Sequence, residues 1–181
     1  DDHVPEKWIQ YIKNTITEVA PHFTMKRMLE DYQQKFYSKL ITRSAAFRND
    51  NYKLAGDYAA WKHDMRSKWH EIRLEKLMVP DSSATPLTLE DSFSTEVTLY
   101  TNGINPEHLG VEIIFGRKFR DKVEKILYKR ELQLVETKDS IARFSVDVPT
   151  YKAGSYSYAF RIFPRHELMP HAQDCNLVKW V

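Results

Sequence analysis

The chain has 181 residues, 42% hydrophobic and 13% aromatic, with 27 basic against 25 acidic side chains and a formal charge of +2. So even a balance gives no reason to expect nucleic acid as the main partner, and no apolar run approaches the roughly 20 residues that span a bilayer. The lone Cys175 excludes an internal disulfide and, in a chain of this length, points to the cytoplasm.

The opening Asp1-Asp2-His3-Val4-Pro5 has neither the basic nor the apolar region of a signal peptide. Lacking an initial Met, the chain reads as a processed or excised piece. Pro5 suits the first turn of a helix, where its missing N–H would be unpaired anyway. Ile9, Ile12, Ile16 and Val19 follow at spacings of three and four, and Pro21 closes the element. Thr24 is a candidate N-cap for a second helix whose apolar side is Met25, Met28, Leu29, Tyr32, Phe36 and Leu40. The polar stretch Arg48–Asn51 predicts a loop. A third helix then carries Leu54, Tyr58, Trp61, Met65, Trp69 and Ile72 on one side. Such stripes must be covered by one another or by something else, and Trp8, Ile12, Met28, Phe36 and Trp61 exceed what three helices readily bury among themselves. Self-association through this segment is one way to cover them.

Past residue 72 the period changes to two. Ile72 to Val79 reads as a strand with Ile72, Leu74 and Lys76 on one face, and Asp81–Pro86 as a linker. Phe93, Thr95, Val97 and Leu99 share the face of the next strand, and Asn102-Gly103 makes a turn. Val111–Phe115 follows, ending at Gly116. Ile126, Tyr128, Leu132 and Leu134 are expected on one face, Lys138-Asp139 turns the chain, and Ala142, Phe144, Val146 and Val148 run back. After a turn carrying Gly154, Tyr156, Tyr158, Phe160 and Ile162 alternate along another strand, with Tyr158 and Phe160 expected largely inside. Leu177–Val181 ends the series. The fold class is therefore α+β: a helical segment of about three helices over residues 1–80, then an antiparallel immunoglobulin-like β-sandwich over residues 81–181.

Motifs for chemistry are missing. The five glycines, at 56, 103, 110, 116 and 154, form neither a phosphate-cradling loop nor a dinucleotide fingerprint, and no Gly-x-Ser-x-Gly elbow is present. His166, His171 and Cys175 fall within ten residues, but their spacing matches no zinc signature. Glu30-Asp31 and Glu90-Asp91 are adjacent and so point to different faces, which is no arrangement for paired-carboxylate catalysis. The basic cluster Arg117, Lys118, Arg120, Lys122, Lys125, Lys129 and Arg130 is diluted by Asp121, Glu124 and Glu131. It reads as charge guarding an edge strand. Aromatics with helical or alternating spacing read as core before they read as a sugar-stacking platform. Catalytic, cofactor-binding and metal residues are each expected to be none.

Two sets of strings carry a family likeness. One runs Trp8-Ile9-Gln10-Tyr11-Ile12-Lys13-Asn14-Thr15-Ile16, then Ala20-Pro21-His22-Phe23-Thr24-Met25-Lys26-Arg27-Met28, Asp31-Tyr32, Phe36-Tyr37 and Ala59-Ala60-Trp61-Lys62. The other is Gly103–Glu112, Gly154–Tyr158 leading to Arg161–His166, and Leu177–Trp180. Together they resemble the C-terminal end of a bacterial or archaeal α-glucan phosphorylase, of the branch related to glycogen and maltodextrin phosphorylases.

The resemblance implies a parent enzyme with two Rossmann-like lobes, which uses pyridoxal phosphate held by a lysine for phosphorolysis of α-1,4-glucan to glucose 1-phosphate. Both the glycine framework and the cofactor lysine motif of that family lie upstream, so no cofactor is expected in this chain. None of its lysines, Lys7, Lys13 and Lys26 included, stands in that motif. By the same resemblance the helices complete the second catalytic lobe and the β part is an accessory domain. Two roles follow: a non-catalytic region that braces the lobe or mediates interactions, with the rest of the enzyme as partner, or a carbohydrate-binding module that tethers it to α-glucan.

Overall fold

The computed structural model describes residues 5–81, 91–119, 122–150 and 156–181. The linker residues from Ser82 to Pro86, Arg120, Asp121 and the turn at Gly154 lie outside them. Helices precede strands, so the α+β class holds. The chain divides into two units, Asp1–Asp57 and Tyr58–Val181.

In the first unit, α1 (Glu6–Asn14) continues as a π-helical turn, Thr15–Val19, and a 3₁₀ turn, Ala20–Phe23, around Pro21. Thr24 then caps α2 (Met25–Tyr32), its hydroxyl accepting from the Arg27 amide at 3.3 Å. A second π-helical turn, Gln33–Tyr37, leads into α3 (Ser38–Lys68), which crosses the boundary between the units. Within α3 the backbone leaves helical values at Asn49–Tyr52, and Asp50, Asn51 and Tyr52 have positive φ. The polar stretch foreseen as a loop is thus a kink within one long helix. Three separate regular helices are not what forms. Nor do the helices of the first unit build a core: no described residue before Tyr58 is buried. Trp8 is 63% exposed and Phe36 52%.

Among the described residues the second unit holds seven antiparallel strands: β1 (Arg73–Met78), β2 (Ser92–Tyr100), β3 (Leu109–Phe119), β4 (Lys122–Lys138), β5 (Ile141–Pro149), β6 (Ser157–Pro164) and β7 (Lys179–Trp180). They lie in one sheet, in the order β1-β2-β5-β4-β3-β6-β7. This corrects the expected two-sheet immunoglobulin-like sandwich. The reason is β4, whose 17 residues serve both halves: Lys122–Leu132 pair with β3, and Gln133–Lys138 with β5. A strand that long must twist and bend, and register shifts at Phe115/Gly116 and Leu134/Glu136 add to the bend. The sheet therefore curls into a half-barrel with one concave face.

That face is the core. Phe93, Thr95, Val97 and Leu99 of β2, Val111, Ile113 and Phe115 of β3, Ala142, Phe144 and Val148 of β5, and Phe160 and Ile162 of β6 are all buried, as their alternation predicts. The end of α3 and the turn after it add Met65, Trp69 and Ile72 to the same cluster. Opposite edges of the sheet are also tied: Lys179 Nζ on β7 donates to the carbonyl oxygens of Ile72 and His70, just ahead of β1.

Three face assignments differ from expectation. Among the described residues of β4, Leu132 alone is buried, while Ile126 and Leu134 are exposed, because the register shifts break the period of two. Tyr158 is 38% exposed and sits at the open end of the core, not within it. β1 is exposed throughout, with a register shift between Leu74 and Lys76. Of the basic cluster expected on an edge strand, Arg117 and Lys118 lie on β3 and Lys122, Lys125, Lys129 and Arg130 on β4, inside the strand order. Even so, among the described residues Lys122–Leu132 pair on one side alone, with β3.

Two substitutions test this packing. Phe160→Ala should destabilise the chain by about 3–5 kcal/mol in denaturant unfolding; an unchanged midpoint would show that β6 does not face the core. At Gly110, paired across the ladder with Phe163, an added Cβ would overlap the Phe163 ring. Gly110→Ala should therefore cost about 1–3 kcal/mol, and the cost should shrink when Phe163 is also replaced by Ala.

Candidate functional site

The densest group of chemistry-bearing side chains in the second unit lies where the end of α3 meets the loops beyond β3 and β6. The β3–β6 ladder pairs Leu109 with Pro164, and Arg165 N donates to His108 O at 2.7 Å one step further. That step brings together two histidines that each follow a proline by two positions, in Pro106-Glu107-His108 and Pro164-Arg165-His166. Their ring centroids are 5.4 Å apart.

Two aromatic side chains of α3, three positions apart and so on one helix face, pack onto this pair. Trp61 stacks on Tyr58 at 5.5 Å and lies 4.5 Å from the His166 ring and 5.8 Å from His108. Its indole N–H donates to His108 Nδ1 at 3.0 Å. Leu168 N–H donates to His166 Nδ1 at 3.1 Å. Each imidazole thus presents a lone pair at Nδ1, which fixes the neutral tautomer with its proton on Nε2.

Beside the rings, Asp174 anchors α3 by charge. Its Oδ2 accepts from Tyr58 Oη at 2.5 Å and from Lys62 Nζ at 3.0 Å, and the Lys62 ammonium also lies over the Tyr58 ring. Ion pairing and two hydrogen bonds to one half-buried carboxylate make this a stronger tie than a surface salt bridge. Burial, then the neighbouring His108, hold His166 below its ordinary proton affinity, while Glu167 pulls the other way.

The metal candidates do not converge. His166 belongs to the aromatic group, His171 is exposed, and Cys175 is buried in the core. Among the described residues no three His, Cys, Asp or Glu could hold a metal ion. Burial pushes the Cys175 thiol up, so it is a packed, unreactive group. Both histidines spend the Nδ1 lone pair on an N–H, which keeps that atom occupied while the rings are neutral. The arrangement clasps a helix to a sheet.

Sequence reading placed Trp61 and Tyr58 on the correct helix face but missed His108. The contact joins residues 47 apart in the chain. The repeated proline-x-histidine was the one local signal.

A family model described as "Glycogen phosphorylase C-terminal domain" matches residues 69–181, which take in Trp69 and every strand. The chain belongs to this family. It is also similar to a maltodextrin phosphorylase of Thermococcus litoralis, 26% identical over 178 residues, and to a glycogen phosphorylase of Mycobacterium tuberculosis, 23% identical over 176. Those alignments cover 96% and 97% of this chain but 20% of each relative. A glycogen phosphorylase of Aquifex aeolicus is 50% identical over 38 residues, covering 21% of this chain and 6% of that protein. No solved structure matches. The chain thus spans about a fifth of the length of the phosphorylases it resembles. Among the described residues no helix is long and apolar enough to cross a membrane.

The clasp makes a direct prediction. Asp174→Ala removes the acceptor for both Tyr58 and Lys62 and should cost about 1–3 kcal/mol, measured by urea unfolding. A change below about 0.5 kcal/mol would show that Asp174 does not anchor α3.

Proposed function

We propose that this chain is the non-catalytic C-terminal region of an α-glucan phosphorylase, and that its helical residues brace the catalytic lobe of the parent enzyme. One observation carries the reading. Trp8, Phe23, Met25, Leu29, Phe36 and Leu40 are each more than half exposed, while relatives of this chain extend over about five times its length. An apolar surface of this extent needs a partner, and the missing four-fifths of such an enzyme supplies one. On this reading the phosphorolysis of α-1,4-glucan to glucose 1-phosphate, and the lysine that holds pyridoxal phosphate, belong to that remainder, in the cytoplasm. Residues 1–80 complete the lobe, and residues 81–181 are its accessory domain. Self-association of the isolated chain would cover the same face.

The test is a double variant, Trp8→Asp with Phe36→Asp, made in this chain alone and in a full-length phosphorylase ending in it. In isolation both sites are exposed, so the melting temperature should stay within about 2 °C. The full-length enzyme should lose more than about 4 °C. An unaffected full-length enzyme would refute the bracing role. By the same proposal, the chain alone forms no borohydride-fixed cofactor adduct and releases no glucose 1-phosphate.

A second reading, glucan tethering, is favoured by one feature. At the open end of the core, Phe93 and Phe115 meet edge to face at 5.6 Å. Tyr158 packs 5.2 Å from Phe93, and Tyr128 stacks on Phe115 at 4.7 Å. Burial, then the nearby Tyr156 phenol, raise the Tyr128 hydroxyl above its ordinary value, against a smaller pull from Arg130. Phe93 and Phe115 are buried, so the part-exposed rings of Tyr128 and Tyr158, with their phenolic hydroxyls, are what could meet the alternating C–H and O–H surfaces of a sugar chain. Trp180, on the outer face beside Arg161, does not extend them into a row. Retardation of the chain in a glycogen-containing native gel, abolished by Tyr158→Ala, would establish tethering. Unretarded migration would exclude it.

A further inference from the structure

We propose that His108 and His166 form an acid-released latch: they hold the Tyr58–Trp61 turn of α3 against the sheet while both are neutral, and acid breaks the His108–Trp61 bond and lets that turn go. The argument rests on which atoms are occupied. A neutral imidazole with its proton on Nε2 offers one acceptor, Nδ1. In both rings that acceptor is already used, by the Trp61 indole N–H in His108 and by the Leu168 amide N–H in His166. A second proton must go onto Nδ1, and there it meets a donor N–H head-on. The bond turns into a repulsion, and the indole or amide must withdraw.

The surroundings give a new charge little relief. From α3 the rings face Trp61 and Tyr58, while the Lys62 cation lies over the Tyr58 ring and is paired to Asp174. From the turn ahead of β3 comes the other histidine. From its own loop Glu167 favours the charged form of His166, but less than burial and His108 oppose it. Two imidazolium ions at this separation repel, so protonating one ring makes the second proton harder to add.

The direction in pH follows from linkage. His166 binds its proton less readily in the fold than in the unfolded chain, where the value is about 6.5. Its contribution to stability is thus fully present above about pH 6.5, and it is lost as the pH falls toward and through the lower folded value. The described strands contain no histidine, and their buried carboxylate, Glu112 of β3, is paired with Arg161 of β6, so the latch should open before the sheet unfolds.

The Trp61 indole N–H reports on the latch directly. In a ¹⁵N-labelled full chain, four tryptophans give four indole signals, and Trp61→Phe identifies the relevant one by its loss. Between about pH 7.5 and about pH 5 that signal should shift, and its protection against hydrogen exchange, corrected for the intrinsic rate, should fall by about tenfold or more. Amides of Val111 and Phe160 should keep theirs. The double variant His108→Asn with His166→Asn places an amide oxygen near each Nδ1 and cannot titrate. It should hold Trp61 protection level across the same range. Protection that stays level in the unaltered chain overturns the latch, as does an equal fall in the double variant. Should the double variant fail to fold at neutral pH, imidazole C–H shifts in the unaltered chain decide. The Trp61 change must then follow the titration of His108 or His166, and a midpoint that matches neither refutes the proposal.

Discussion

Everything in the β unit depends on β4 serving two ladders. Its first eleven residues bond to β3 and its last six to β5. Backbone N–H and C=O groups in a sheet must find partners, so the bend in this strand obliges the strands on either side to follow it. A flat seven-stranded sheet would present two solvent-facing surfaces and bury little. Once curled, the sheet offers one concave face, and side chains from β2, β3, β5 and β6 meet across it. Phe93 of β2 reaches Phe115 of β3 and Tyr158 of β6 in this way, although neither strand neighbours β2 in the sheet.

A half-barrel leaves its two edges unpaired and one side of its core open. The chain manages both with residues from outside the sheet. Met65, Trp69 and Ile72 fill the concave face from the end of α3 and the turn that follows. The Lys179 ammonium bridges the edges by donating to carbonyls ahead of β1. Both edge strands are also poor templates for further pairing: β7 has two residues, and β1 carries Arg73, Glu75 and Lys76. The aromatic clasp of Tyr58, Trp61, His108 and His166 belongs to the same solution, because it fixes the helix whose end closes the core. Its polar atoms answer one another, and this is why a group with two histidines, an aspartate and a lysine is structural. Among the described residues of the helical unit none is buried, and Trp8, Phe23, Met25 and Phe36 stay largely in solvent.

Much of this was legible residue by residue. Alternation alone identified the buried faces of β2 and β5, since a period of two needs no knowledge of the partner strand. Of the stripe Leu54, Tyr58, Trp61, Met65, Trp69 and Ile72, the first four lie on α3, while Trp69 falls in the 3₁₀ turn that follows and Ile72 just beyond it. Thr24 was recognisable as a cap because capping is a local hydrogen bond, and the polar run at Arg48–Asn51 marked the kink in α3 because Asn and Asp tolerate positive φ. The phosphorylase strings ran through both units.

Local pattern could not reveal where strands go. Whether two sets of strands close as a sandwich or as one curled sheet depends on a single strand being shared, and alternation is identical in either case. The exposure of Ile126, Leu134 and Tyr158 was decided by register shifts and by distance from the open end, which are properties of the assembled sheet. His108 carried no signal of its own, since its partners Trp61 and His166 lie far away in the chain and the β3–β6 ladder alone sets them side by side. The sequence by itself determined which faces are apolar, where helices give way to strands and which family the chain resembles, because each of these is written in neighbouring residues. Only the tertiary structure decided the curl, the clasp and which aromatics reach solvent, because each arises from contacts between segments that the sequence keeps apart.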